Sequence, residues 1–243
     1  WTSNYIVELL RAYQENPTIW TDDYNIPESG NGTPDLIDEV KWGLDHLLRL
    51  QLNDGSIISI VDAGHASPPS AATEQSLYGG VNTSSTLASS GAFALGATVF
   101  ENLGMSSYAN ELQIAAEKAW NWAIINPNTL WQNNDAAYSS VGIGAGKQEV
   151  DDYGRLKYKL RAAVYLLELT GEINYKTFFD NNYSQIHMMQ WTHAYPFEDE
   201  EQDILLEYTR LNDASESIAN NILSTFSTAM NGNDNFSAYE NEK

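Results

Sequence analysis

Residues 26–51 read IPESGNGTPDLIDEVKWGLDHLLRLQ, a polar, glycine-rich loop that runs directly into a long amphipathic segment. Pro27, Gly30 and Gly32 punctuate the loop. Thr33 suits an N-cap and Pro34 the first helical position. Asp35, Asp38 and Glu39 put negative charge at the positive end of the helix dipole. Leu36, Val40, Leu44, Leu47 and Leu48 then recur at spacings of three and four, which makes one buried helical face. The loop places Glu28, Ser29 and Asn31 at the mouth of a helical layer. A plain surface loop before a well-capped helix fits the same pattern.

Outward from this stretch the chain reads as helix after helix. Residues 1 to about 15 form a helical pattern that stops before Pro17. The helix from about 34 to 52 ends at the turn signal Asn53-Asp54-Gly55. Ser56 to Val61 is a short apolar run that reads as an isolated strand. A long loop rich in Gly, Pro, Ser and Ala follows from Asp62 to Asn82, and a loop of that length is usually functional. Helices are expected at about 83–103, 106–126, 149–170, 175–182, 198–211 and 214–230. The helix at 83–103 consists of unusually small residues, which suits a crowded inner position. His187 to Pro196 reads as an aromatic connection, and the residues after 230 as a frayed end.

The pattern E-x-x-G-x-x-x-Y occurs twice, at Glu101–Tyr108 and Glu168–Tyr175. In both, a helix ends at a glycine C-cap and the next begins near the tyrosine. Repeated helical hairpins with glycine corners predict an all-α fold, an α/α toroid. A length of 243 residues suits one domain with a substantial core, and no stretch marks a linker.

Lys+Arg 12 against Asp+Glu 33 gives a net charge of −21. Such a charge repels nucleic acid and anionic membrane surfaces and favours a neutral or cationic partner. With no cysteine, disulfides and thiolate metal sites are excluded. No apolar run approaches the ~20 residues of a membrane span. The helical pattern under way at Trp1 reads as an interior piece of a longer precursor, or a processed form. Seven Trp and fourteen Tyr supply the flat apolar faces that sugar clefts use, although burial in a core is the commoner role of such rings.

The segment IPESGNGTPDLIDEVKWGLD (26–45) resembles the IPESGNG-x-PD-LLDE-x-xW signature of glycoside hydrolase family 9, the inverting cellulases. SPPSAAT (67–73), YGGVNT (78–83), QEVDDYGRLKYKLRAAVYL (148–166) and MMQWTHAYPFE (188–198) are similar to the same family. The resemblance thus covers nearly the whole chain. It implies part of an (α/α)6 barrel and an endo-acting hydrolase of β-1,4-glucan, secreted, with no cofactor required. Inverting glycosidases hold two carboxyl groups ~6.5–9.5 Å apart. In the family the water-activating aspartates lie in a DAGDY-type motif before the first helix present here, and the general-acid glutamate lies in a later segment. Neither motif occurs in the chain, so the catalytic pair is expected outside it. Asp62-Ala63-Gly64-His65 echoes the first motif but lacks its second aspartate and follows the wrong helix.

The resemblance makes Trp191 the foremost sugar-stacking candidate, and a loop Trp packed on the core is the competing use. His65 and Tyr78 lie in the long loop that borders the family's cleft, where a polar-loop His is often only a hydrogen-bond partner. Structural calcium occurs in the family. The acidic groups Glu149, Asp151, Asp152 and Glu198–Asp203 are oxygen-rich, but negative charge at a helix start also explains them. His187 and His193 are not spaced as a helical zinc pair. Gly142, Gly144 and Gly146 follow no clear strand, which argues against nucleotide binding. A partial barrel would expose apolar helix faces, so self-association is expected. A non-catalytic glucan-binding module and a purely structural fragment are the alternatives to an active hydrolase.

Overall fold

The computed structural model describes residues 1–62, 69–144 and 146–233. It is helical throughout, with one minimal hairpin, as the repeated glycine corners predict. The chain divides into two compact units, Trp1–Arg155 and Leu156–Lys243.

In the first unit, α1 (Thr2–Glu15) packs against α2 (Asp35–Leu50) and α3 (Thr83–Asn102), and α3 packs against α4 (Ser106–Ile125). Ile6, Val7 and Leu10 of α1 and Ile37, Val40, Leu44 and Leu47 of α2 are buried. Of the stripe read in α2, Val40, Leu44 and Leu47 are in the core, while Leu36 and Leu48 are half-buried and Ile37 takes the buried place. The small-residue helix α3 is indeed the inner one. A Cβ on Gly96 would stand 3.0 Å from the Leu44 side chain and 3.2 Å from that of Leu112, so α2 and α4 close on α3 from two sides. Its hydroxyls are satisfied by neighbours: Ser90 Oγ donates to the Ala116 carbonyl and Thr86 Oγ1 to the Asn82 carbonyl. Buried polar groups need such partners.

Between α2 and α3, β1 (Val61–Asp62) pairs antiparallel with β2 (Leu77–Tyr78) in the register Val61↔Tyr78 and Asp62↔Leu77. The apolar run at 56–61 is therefore not isolated. Ile57 bridges to Gln51 and Ile58 to Val81, and Ile57 is buried beneath them. A second difference lies at the start of α2. Pro34 stands at the N-cap, Asp35 is the first helical residue, and Thr33 makes no capping bond. The Asp35 side chain turns back into the loop instead, where Tyr24 N–H and the Ser29 hydroxyl donate to it.

Helix α5 (Asp152–Thr170) runs from the end of the first unit into the second, which continues with α6 (Ile173–Asn182), α7 (His187–Trp191), α8 (Asp199–Arg210) and α9 (Glu216–Thr228). The expected connection at 187–196 thus opens with a five-residue helix. Helices α8 and α9 pack together, and α7 packs against α9. Phe179 stacks on Tyr208 at 3.9 Å between ring centres. Tyr208 Oη reaches Asp180 and accepts the Ser215 N–H, which fixes the turn between α8 and α9.

Both predicted glycine corners have the expected backbone. Gly104 and Gly171 take φ of +77° and +69°, the left-handed conformation that closes a helix C-terminus. Gly104 N–H donates to Glu101 and Met105 N–H to Phe100, while Gly171 N–H donates to Leu167. Tyr108 then meets Phe100 edge-on at 4.8 Å, and Tyr175 is buried.

Candidate functional site

In the first unit, the loop before α2 is built on Asp22. Its Oδ1 accepts Gly30 N–H and its Oδ2 accepts Gly32 N–H, each at 2.6 Å. These bonds explain two of the motif's glycines, since both sit at positive φ with their N–H groups turned onto one carboxylate. The Gly32 N–H does most to hold the Asp22 carboxyl below the usual carboxylate range. Asn31 Nδ2 donates to Asp38 Oδ2 at 3.0 Å. Burial pushes the Asp38 carboxyl above its ordinary range, and the charges of Asp22, Glu28 and Asp35 add to that. One carboxylate oxygen from each of Asp22, Asp35 and Asp38 lies within 4.8 Å of the others. Sequence reading did not single out Asp22. The signal for it was an aspartate eight and ten residues ahead of two turn glycines.

Tyr78, on β2, is 58% exposed. Beside it the Trp131 indole packs against Gly79 and Gly80, where an added Cβ would come within 2.8 Å and 2.4 Å of the ring. Glu149 braces this region: its Oε2 accepts Asn82 Nδ2 at 2.8 Å and Trp131 N–H at 3.3 Å. Asp62 Oδ2 accepts Gly144 N–H, so the DAG-like aspartate has a local structural task. His65 lies outside the described residues.

In the second unit, Trp191 stacks on His187 at 3.8 Å between ring centres, with 15° between the planes. His187 Nδ1 is 2.7 Å from Glu198 Oε1. Thr192 adopts a left-handed C-cap with φ of +50°, so the chain turns sharply after the tryptophan. Tyr195 and Phe197 follow, 40% and 82% exposed, with ring centres 5.4 Å apart. Trp191 is thus neither a free surface ring nor a core ring. It is stacked on a second ring, which a carboxylate holds in turn. Tyr195 and Phe197 are further exposed rings of this segment, and their signal was the ring density of WTHAYPF.

Most of the acidic groups considered for calcium are engaged within the protein. Asp151 caps Gly154, Asp152 pairs with Arg155, and Glu149 lies 3.8 Å from the same guanidinium. Glu200 pairs with Arg161, Glu201 with Lys157, and Glu198 bonds His187. Arg155, Arg161 and Lys157 thus already pair with Glu149, Asp152, Glu200 and Glu201. No helix among the described residues is long and apolar enough to cross a membrane.

The family model of glycosyl hydrolase family 9 matches residues 2–242. A metagenome-derived glycoside hydrolase family 9 endoglucanase superposes with a TM-score of 0.77 at 23% identity, over 92% of this chain and 40% of the other. A glycoside hydrolase family 9 protein from Bacteroides ovatus gives 0.74 at 22% identity, over 98% of this chain and 46% of its own. An endoglucanase from the termite Nasutitermes takasagoensis gives 0.65 at 15%, over 95% and 51%. These likenesses carry the fold, that of part of an (α/α)6 barrel. The chain spans about 40% of the length of the first of these solved structures. No curated protein matches the sequence.

Proposed function

The chain belongs to glycosyl hydrolase family 9, and from that premise we propose that it forms scaffold and cleft wall of a cellulase-type hydrolase. The reaction is inverting, endo-acting hydrolysis of β-1,4-glucan, on a secreted enzyme. The observation that carries this reading is the Trp191 ledge. A half-buried Trp ring backed by His187, with exposed Tyr195 and Phe197 following it in the chain, supplies the kind of aromatic ring that a pyranose face stacks on. Tyr78 and His65 are further substrate contacts in this reading. A net charge of −21 suits a neutral polysaccharide and disfavours nucleic acid and anionic membranes. Both compact units belong to a single catalytic domain, since one family model spans them.

The general acid and base come from segments beyond residues 1–243. In the QEVDD and FEDEE segments, Asp152 is tied to Arg155, Glu200 to Arg161, Glu201 to Lys157 and Glu198 to His187. The test is reducing-sugar release from carboxymethylcellulose by the 243-residue protein, beside a version carrying the flanking family segments. Release only by the longer version supports the reading. Release by the short chain, abolished by one carboxylate substitution within it, overturns the placement of the acids.

The exposed aromatic ledge also favours a second reading, non-catalytic glucan binding. It predicts cellohexaose binding without turnover, weakened roughly tenfold by Trp191→Ala, about the value of one good aromatic contact. Neither binding nor turnover in either version would leave a purely structural role.

A further inference from the structure

His187 and Trp191 are the first and last residues of α7, about one helical turn apart, so their side chains lie on the same face. Their rings stack at 3.8 Å between centres with 15° between the planes. Spacing alone does not produce that contact. Tryptophan and histidine side chains each turn about two bonds, and so short a helix does not hold a conformation by its own hydrogen bonds. The imidazole is fixed from outside the helix. Its Nδ1 lies 2.7 Å from Glu198 Oε1, and a carboxylate only accepts, so Nδ1 carries the proton. Glu198 is fixed in turn. Its N–H donates to the Tyr195 carbonyl, and its own carbonyl accepts the Gln202 side-chain amide, which also reaches the Tyr195 carbonyl. The His187 and Glu198 side chains are 25% and 16% exposed, so their bond is partly shielded from water, where it is worth more. A chain of contacts thus runs from the start of α8 through Glu198 and His187 to the indole of Trp191.

We propose that His187 is a positioning residue for Trp191: locked at Nδ1 by Glu198, it fixes the plane that the indole presents to a sugar. This rests on the reading of Trp191 as a sugar-stacking ring. A pyranose on an aromatic face is held by many weak contacts of its C–H groups with the π-surface, and those contacts require the two planes parallel and touching. A tryptophan that turns freely loses that freedom on binding, at a cost in affinity. Stacked on His187, the ring has lost it beforehand. His187 acts through Trp191 and Glu198 acts through His187, so removing Glu198 matters only while His187 is present. A histidine that merely tied α7 to the start of α8 would also make the Nδ1 bond. It would not need its ring parallel to the indole at contact distance.

The experiment has two arms on the 243-residue protein. In the first, fluorotryptophan replaces tryptophan, and the fluorine resonance of Trp191 is identified by its absence in Trp191→Phe. His187→Ala should move that line toward its position in the unfolded protein. His187→Phe, which restores a ring, should bring most of the shift back. Glu198→Ala should move the line in the same direction as His187→Ala, and it carries both arms if His187→Ala does not fold. A lower thermal midpoint with the line unmoved is the mark of a purely structural tie and overturns the proposal. In the second arm, cellohexaose is titrated by calorimetry. His187→Ala should weaken binding roughly three- to tenfold, the scale of one side chain's restored freedom, with His187→Phe close to the parent. Glu198→Ala should weaken binding in the parent and change nothing further in His187→Ala. Parent-like binding by His187→Ala, beside weakened binding by Trp191→Ala, overturns the proposal. A parent that binds no cellohexaose, or binds it no better than Trp191→Ala does, overturns the sugar-stacking reading instead. The fluorine line then decides alone whether His187 fixes the ring, moved in support and unmoved against.

Discussion

At Gly80 the Trp131 ring occupies the space a side chain would need. An added Cβ would stand 2.4 Å from Cδ1 of the indole, and a rigid ring cannot swing aside as a flexible chain end can. Gly80→Ala should displace Trp131 and cost about 1–3 kcal/mol by overpacking, read by urea denaturation and by a red shift of tryptophan emission. An unchanged midpoint and spectrum would mean that the ring packs elsewhere in solution. His46 offers a pH test. Its burial in α2, with the charge of Arg49 adding, holds its pKa below the ordinary 6.5. The neutral ring is thus favoured in the fold. That contribution is complete above pH 6.5 and is lost as pH falls through the lower folded value. His46→Gln should therefore lose less stability than the parent between pH 7 and about 5, a gap read from thermal midpoints across that window. Midpoints that fall in parallel would exclude the titration. The same scale shows what the sequence leaves unread. Asp22, Asp35 and Asp38 were visible as residues, two of them as helix-start charges. Their convergence depends on a loop closed by N–H bonds to Asp22, and no residue pattern fixes where those bonds go.

The elements followed their sequence signals closely, because those signals are local. The E-x-x-G-x-x-x-Y corners form where expected, since only glycine holds positive φ without a steric penalty. Gly104 has nothing within 4 Å of an added Cβ, so Gly104→Ala isolates backbone strain from packing. It should cost about 1–2 kcal/mol by chemical denaturation, with Gly104→Asn costing less, because asparagine tolerates the left-handed region. Equal stability of all three would remove the glycine-corner argument. Leu44 tests the packing counterpart. It is fully buried between α2 and α3, with its methyl groups against Gly96. Leu44→Ala should cost about 2–5 kcal/mol. The differences from expectation also lie at this scale. The start of α2 moved by one residue because Asp35 bonds the loop and not its own helix. The 187–196 connection gained a helical turn, closed by Thr192 in the left-handed conformation.

At the scale of the molecule, charge and exposed apolar surface oppose each other. Trp1, at the N-cap of α1, and Tyr5 and Leu9 within it recur at every fourth residue and are 84%, 69% and 36% exposed. We propose that this stripe mediates self-association, resisted by a net charge of −21 on each copy. Sedimentation should then show association that strengthens from low salt to about 0.5 M salt, as screening shortens the repulsion. Tyr5→Lys with Leu9→Lys should leave a monomer throughout. A monomer at high salt in the parent protein would count against the stripe.

By itself the sequence determined the helices, their glycine corners, the inner position of α3 and the family. Each of these rests on periodicity, on a φ that only glycine holds cheaply, or on a motif long enough to be specific. Only the tertiary structure decided which carboxylates stand alone. Charge clusters look alike along a chain. Whether a carboxylate meets a guanidinium, as Glu200 meets Arg161, or a buried space with no donor, as Asp35 Oδ1 does, depends on residues that folding brings alongside. The same holds for Trp191, whose backing by His187 and Glu198 comes from where α7 ends and the chain turns.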